Sequence, residues 1–427
     1  MRQRRIIVVI ASTMVGLTVL AGCPLTTPPG SVNAPPVADA VEATAIGSEP
    51  VTIELAAADP DGDELTVSVS SGPSNGTLTV SSATTAVYTA NGGFAGVDTF
   101  RYEVSDGRAT SAPGEVTVTV YPEPAGSTVT LDVMEVVLVR GEAHMAAGAS
   151  AREEMLASTM VYQRLLAEDL ELYFLIREHP DAVRLVADPD PIDVNDLFGQ
   201  FRTWKETNLD VDAGSGGDPP FQPTGVFYSD REWSGSGTIG LSFLKAFGRN
   251  IAVTVISRRD PFTSGPLSLN LQIENAAQQM GHILGAEHPP IDVPDESIME
   301  ATLVEVDADD LVFLPSSLTQ MQEAIDEDTA PTLPTIDAHP VAAAAADGAV
   351  LLAWDDALPG DELVLYRSAD SVPLSCFTCT TVELNGGTRV YTDPDVSAGQ
   401  TYRYRVMSRD SSGDLAGVTQ EAVVTVP

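Results

Sequence analysis

The stretch Gln278-Gln279-Met280-Gly281-His282-Ile283-Leu284-Gly285-Ala286-Glu287-His288 decides how the chain is read. Met280, Ile283 and Leu284 fall at helical spacing, and a helix centred on Leu271 to Leu284 puts positions 278 and 282 one turn apart on one face. Gly285 lets the chain turn out of that helix so that His288 returns towards His282. The same residues also suit an ordinary core helix, so the flanking sequence has to decide between the two readings. Glutamine at 278 offers only a neutral amide, a poor partner for a metal that prefers imidazole or thiolate. Glutamine at 279 cannot hold and pass on a proton.

Gly281, His282, Gly285 and His288 stand in the register of H-E-x-x-H-x-x-G-x-x-H, and Ser297-Ile298-Met299 follows as a Met-turn. The stretch therefore resembles the zinc signature of the metzincin metalloproteases with its first two letters changed. Thr224-Gly225-Val226-Phe227, Trp233-Ser234-Gly235 and Thr238-Ile239-Gly240-Leu241-Ser242-Phe243 lie upstream, and Phe313-Leu314-Pro315-Ser316-Ser317-Leu318 lies downstream. These blocks make the region 128–328 similar to the reprolysin (adamalysin) branch. The resemblance implies an α/β zincin domain with a zinc site at positions 278, 282 and 288. Gln278 replaces the first histidine, Gln279 the general-base glutamate, and Met299 forms the Met-turn. Pro289 stands where an aspartate often follows the third histidine. Zinc is expected to be weak or absent and proteolysis lost, with the cleft kept for a protein or peptide ligand. An active or residual zinc metalloendopeptidase is the first alternative, and an adhesive or spacer scaffold the second.

A chain of 427 residues with a net charge of −39 has room for several domains and is repelled by nucleic acid, so no nucleic-acid partner is expected. Met1-Arg2-Gln3-Arg4-Arg5 and the apolar run Ile6 to Leu20 read as a signal peptide over 1–22. Leu20-Ala21-Gly22-Cys23 resembles the bacterial lipobox, which implies acylation of Cys23 and a lipoprotein held at a membrane, facing the periplasm or cell surface. The Pro-, Thr- and Gly-rich segment 23–36 reads as a tether.

Short alternating strands with Asp-Gly and Asn-Gly turns read as a β-sandwich over 37–121. Asn33-Ala34-Pro35-Pro36, Asp59-Pro60-Asp61-Gly62-Asp63 and Ser105-Asp106-Gly107 make it resemble the cadherin-like, Ig-like repeats of bacterial surface proteins. Asp59, Asp61 and Asp63 are spaced either for Ca²⁺ or for an Asp-Gly turn with solvated carboxylates. Alternation returns over 335–427, where Val350-Leu351-Leu352-Ala353-Trp354 and Thr401-Tyr402-Arg403-Tyr404 resemble a fibronectin type III domain. Cys376 and Cys379 read as a local disulfide in an oxidising compartment. Between the sandwiches, a strand at Leu131 to Val139, helical spacing from Ala151 to Leu175, a helix at Asp196 to Thr207 and a buried strand at Ile251 to Ile256 give a mixed α/β order. His144, His179 and His339 lack ligand-like spacing and read as surface residues.

Overall fold

Among the described residues strand is the commonest regular structure, built on valine, threonine and aromatic residues that suit a pleated sheet. The computed structural model describes residues 32–82, 84–183, 185, 192–209, 222–230, 233–234, 240–242, 244, 246, 252–259, 266–288, 298–299, 310–327, 333–411 and 415–427. The signal segment 1–22, Cys23, most of the tether and Pro289 lie outside them. Two units are distinguished, one made of 1–128, 339–365 and 383–427, the other of 129–338 and 366–382.

The first unit carries both sandwiches. In the N-terminal one, the strands Val41–Ile46, Gly114–Tyr121, Gly96–Ser105 and Thr66–Ser71 form one sheet, and Val51–Glu54, Thr85–Ala90 and Gly76–Val80 the other. Along Gly96–Ser105, buried and exposed residues alternate over the first half of the strand, the period-two signature of a sheet with one face on a core. Phe100, Tyr102, Val104, Tyr88, Val116 and Val118 fill that core. In the C-terminal sandwich, Val341–Ala346, Ala349–Trp354 and Val390–Asp393 form a three-stranded sheet, and Trp354 is 1% exposed. The Tyr402 hydroxyl accepts a hydrogen bond from the Ser397 amide at 3.1 Å, a tyrosine corner at the start of Thr401–Arg409. The sandwiches pack on each other through Tyr121, Leu351 and Ala353, and Tyr121 Oη lies 2.8 Å from Thr392 Oγ1.

The second unit is built on a mixed sheet. Its elements are β1 (Val129–Arg140), α1 (Glu142–Ala146), α2 (Ala149–Leu170), β2 (Leu172–Glu178), α3 (Val194–Asn208), β3 (Thr224–Ser229), β4 (Gly240–Ser242), β5 (Val253–Ser257), α4 (Leu269–Leu284) and α5 (Pro315–Ile325). The sheet order is β4-β5-β3-β1-β2, with β4 antiparallel at one edge and the other neighbours parallel. Met134, Val136 and Leu138 of β1 face the side covered by α2, α4 and α5, whereas Val137 and Val139 face α3. Burial on both faces explains the unbroken apolar run Val136 to Val139 in β1.

Two sequence expectations are corrected here. The helical spacing from Ala151 to Leu175 overruns a boundary: α2 ends at Leu170, Glu171 takes a left-handed conformation with φ 52°, and Leu172, Phe174 and Ile176 are the buried alternate positions of β2. A run rich in leucine and phenylalanine has the same apolar content in either state, and only partner strand β1 selects the extended one. The second correction concerns histidines. His144 is 1% exposed and His339 8%, so neither is a surface residue.

His144 lies at the carboxyl ends of the parallel strands, its ring 5.8 Å from that of Tyr228. Burial, followed by the charges of Arg140 and Arg258, pushes its pKa down from 6.5 to about 4, against a smaller opposing effect of Glu154. The native state thus holds His144 neutral, and its contribution is complete above the unfolded value near 6.5 and lost as pH falls through about 4. Between pH 7 and pH 4, wild type is expected to lose about 3 kcal/mol more stability than His144→Gln. Denaturant-dependent hydrogen exchange of the β1 amides at both pH values measures this difference.

Candidate functional site

Helix α4 positions the site. The Ser268 hydroxyl accepts from the Leu271 amide at its start, and at its end Gly285 adopts φ 110°. Gly285 N donates to His282 O at 3.0 Å and Ala286 N to Gly281 O at 2.9 Å, a left-handed cap that an L side chain would strain. This cap reverses the chain and brings His288 back over the last turn. The rings of His282 and His288 have centroids 4.7 Å apart and lie nearly edge to face.

Each imidazole is oriented by a main-chain carbonyl. His282 Nδ1 lies 2.8 Å from Ala286 O, and His288 Nδ1 lies 2.8 Å from Met299 O. A carbonyl only accepts, so each Nδ1 carries a proton, the arrangement that leaves Nε2 as the nitrogen facing away from the main chain. This is how metal-binding histidines are commonly held. Burial lowers the pKa of His282, and the neighbouring His288 lowers it further, while the hydrogen bond to Ala286 acts in the opposite sense; the net effect favours the neutral ring.

Met299 lies fully buried beneath the helix end. A Cβ at Gly281 would come 2.5 Å from Met299 Sδ and 3.1 Å from the Phe313 ring, so the absent side chain is what lets Met299 sit there. Sequence-predicted residues Gln278, His282, His288 and Met299 therefore gather at one end of α4.

Gln279 has a different setting. It is 4% exposed, and its Oε1 lies 2.8 Å from the Ser242 hydroxyl of β4. Its Nε2 donates to Gln278 Oε1 at 3.2 Å and lies 3.4 Å from Asn275 Oδ1. Ser242 Oγ also lies 2.7 Å from Thr254 Oγ1 of β5. Edge strand and helix are thus interlocked through uncharged polar groups. They approach so closely that a Cβ at Gly240 would overlap Asn275 and lie 2.6 Å from Gln279 Cδ.

Sequence reading did not single out Ser242 or Asn275 as site residues. Asn275 is detectable as the residue one helical turn before Gln279, whereas Ser242 needs the fold of β4 onto α4. The groups that the sequence places at the metal positions are the imidazoles of His282 and His288 and the Gln278 amide, whose Oε1 already accepts from Gln279 Nε2. Two imidazoles and a neutral amide are one imidazole, thiolate or carboxylate short of the three protein ligands that a catalytic zinc takes.

The acidic turn of the first sandwich is arranged differently. Asp59 Oδ1 accepts from the amides of Asp61 at 2.9 Å and Asp63 at 3.1 Å, and Asp61 Oδ2 accepts from Ala34 N at 2.7 Å. Asp63 Oδ2 pairs with Arg108 at 3.0 Å. These carboxylate oxygens serve turn amides and an arginine. Cys376 and Cys379 are joined as a disulfide.

Among proteins of curated function none matches the chain. Of solved structures, pectate lyase Pel3 from Pectobacterium carotovorum is 20% identical over 20% of this chain and 26% of its own, with a TM-score of 0.18. Pectate lyase PelI from Erwinia chrysanthemi is 18% identical over 20% of this chain and 27% of its own, with a TM-score of 0.18. This chain thus spans about a quarter of the length of those enzymes. An Fn3-like protein from Clostridium thermocellum is 26% identical over 21% of this chain and 93% of its own, also at 0.18. Residues 33–119 match the bacterial Ig domain family, so the chain carries an Ig-like sandwich of that family at its N-terminal side.

Proposed function

We propose that this chain is a membrane-anchored lipoprotein whose α/β unit is a metzincin-like domain of the reprolysin type that binds a protein or peptide ligand without cleaving it. The observation that carries the reading is the pairing of a retained half-site with a dismantled one. His282 and His288 lie side by side with each Nδ1 held by a main-chain carbonyl, which supports reading them as the remnant of a ligand pair, while Gln279 stands at the position read as the general base and hydrogen-bonds Ser242 of β4. An amide there neither takes a proton from water nor gives one to a leaving amine, work that contributes about 10²–10⁴-fold in rate. Among the described residues strand β4 ends the sheet, and it lies over α4. An extended peptide adds to such an edge through main-chain hydrogen bonds, with side-chain pockets supplying selectivity. The Ig-like and fibronectin-like sandwiches suit a role in spacing this unit from the membrane.

The protein expressed without residues 1–31 and dialysed is expected to retain far less than one zinc per chain by metal analysis. It is also expected to leave an unstructured protein substrate uncut with or without chelator. Stoichiometric zinc that His282→Ala releases, or cleavage that a chelator abolishes, makes the unit a metallopeptidase instead. Absence of any protein captured through the α/β unit favours a spacer. For the anchor, Cys23→Ser is expected to move the protein out of the detergent phase, or to leave uncleaved precursor, because the thiol is the acylated atom. Unchanged partitioning points to a retained helix at Ile6 to Leu20.

A further inference from the structure

The second unit includes a piece of chain far from the rest of it in sequence. Residues 366–382 join the connection between the strands Glu362–Ser368 and Thr380–Asn385 to the α/β sheet. Their position is specific. Among the described residues strand β2 pairs only with β1, in parallel, at the edge of the sheet, and the amide of His179 just beyond it donates inward to Leu138 O. Strand geometry then turns the amide of Ile176, an odd number of residues away, to the outer side. That amide donates to Ser375 Oγ at 2.7 Å, and Gln163 Nε2 of α2 donates to Ser375 O at 3.3 Å. Two residues on, Phe377 packs against the core formed by β1, β2, α2 and α4. Cys376 and Cys379 are bonded on either side of it. Val372 and Leu374 are 1% and 3% exposed.

An open sheet edge pairs readily with other chains, and proteins commonly cover it. We infer that Tyr366–Val382 is a disulfide-shaped clasp over the outer edge of β2, which opens when the Cys376–Cys379 bond is reduced. The bond holds Cys376-Phe377-Thr378-Cys379 in a tight ring, so Phe377 is presented to the core without first ordering a free loop. Ser375, immediately before the ring, is thereby fixed opposite Ile176. A dithiol reductant supplies the two electrons for opening: the sulfur–sulfur bond breaks, two thiols form on the protein, and the reductant leaves as its own disulfide. The ring then gains freedom that both the Phe377 packing and the Ser375 hydrogen bond oppose.

Amide hydrogen exchange on the whole soluble chain tests this, with the central strands β3 and β5 as internal reference. In the Cys376→Ser/Cys379→Ser double variant, and in wild type treated with dithiothreitol, exchange at Ile176 is expected to rise at least tenfold while β3 and β5 stay as protected as before. Ser375→Ala, which leaves the disulfide in place, is expected to accelerate Ile176 without exposing the thiols to alkylation. Unchanged exchange at Ile176 in these variants overturns the clasp. A parallel rise across β2, β3 and β5 also overturns it, since the segment is then part of the global core and not a separately opening element.

Discussion

Gln278→His combined with Gln279→Glu is expected to turn a chain that leaves proteins uncut into one with measurable, chelator-sensitive cleavage. His282 and His288 already stand side by side, each ring fixed at Nδ1 by a carbonyl, which leaves Nε2 as the nitrogen to bind metal. An imidazole at 278, one helical turn before His282, completes three nitrogen ligands around one zinc and leaves the fourth position to water. The new carboxylate at 279 replaces a side chain that Ser242 already contacts at 2.8 Å, and the Ser242 hydroxyl can donate to it as it does to the amide. Its other oxygen meets Asn275, whose amide must turn its NH₂ inward to serve it. Neither single change is expected to suffice, because ligand and base do separate work. The expected gain over wild type is at least about a hundredfold on an unstructured substrate, the low end of general-base catalysis. Zinc per chain after dialysis and cleavage with and without chelator are the readouts. A double variant that binds zinc but cuts nothing shows that the interlock of β4 with α4 has closed the cleft, and ligand binding or scaffolding is then what remains for this unit.

Asp98→Ala is expected to be the most damaging single change in the N-terminal sandwich. Asp98 is 3% exposed; its Oδ1 accepts from the amides of Ser74 and Thr99 at 3.0 Å each. Its Oδ2 accepts from the amide of Asn75 at 2.9 Å and from the Tyr88 hydroxyl at 2.9 Å. Burial, reinforced by this hydrogen bond and by the carboxylate charge, raises the Tyr88 pKa well above its ordinary value, so the phenol stays protonated and donating. Alanine leaves three amides and a buried hydroxyl without their acceptor, a loss of about 3–5 kcal/mol. Tyr88→Phe, which removes a single hydrogen bond, is expected to cost about 1 kcal/mol. Exchange rates of the Val116 to Val120 amides rank the two variants, and equal effects would mean that Asp98 is not the centre of the network.

Sandwich content was legible because a strand with one wet face prints its period directly in the sequence, as Gly96–Ser105 does. Strand β1 and helices α3 and α4 were legible to within two or three residues, since each leaves its apolar residues at the spacing of its own secondary structure. The boundary between α2 and β2 was not, because nothing local distinguishes Leu172 to Leu175 from a last helical turn. Burial of His144 was equally hidden: it depends on α1 folding against β3, a packing event between segments more than eighty residues apart.

By itself the sequence determined which chemistry is present: two histidines spaced around a glycine cap, glutamines at 278 and 279, a cysteine pair at a spacing that suits a local disulfide, and acidic turns between alternating strands. Tertiary structure decided what that chemistry is used for. Gln279 became a tie between strand and helix only because β4 folds antiparallel against β5 and lies over α4. Residues 366–382 became the cover of β2 only because Ser375 and Phe377 find an outward amide and an apolar core there. Residue type and local spacing fix what a side chain can donate, accept or bury. Which partner receives it is settled by contacts between distant segments, whose loop-closure cost no local pattern encodes.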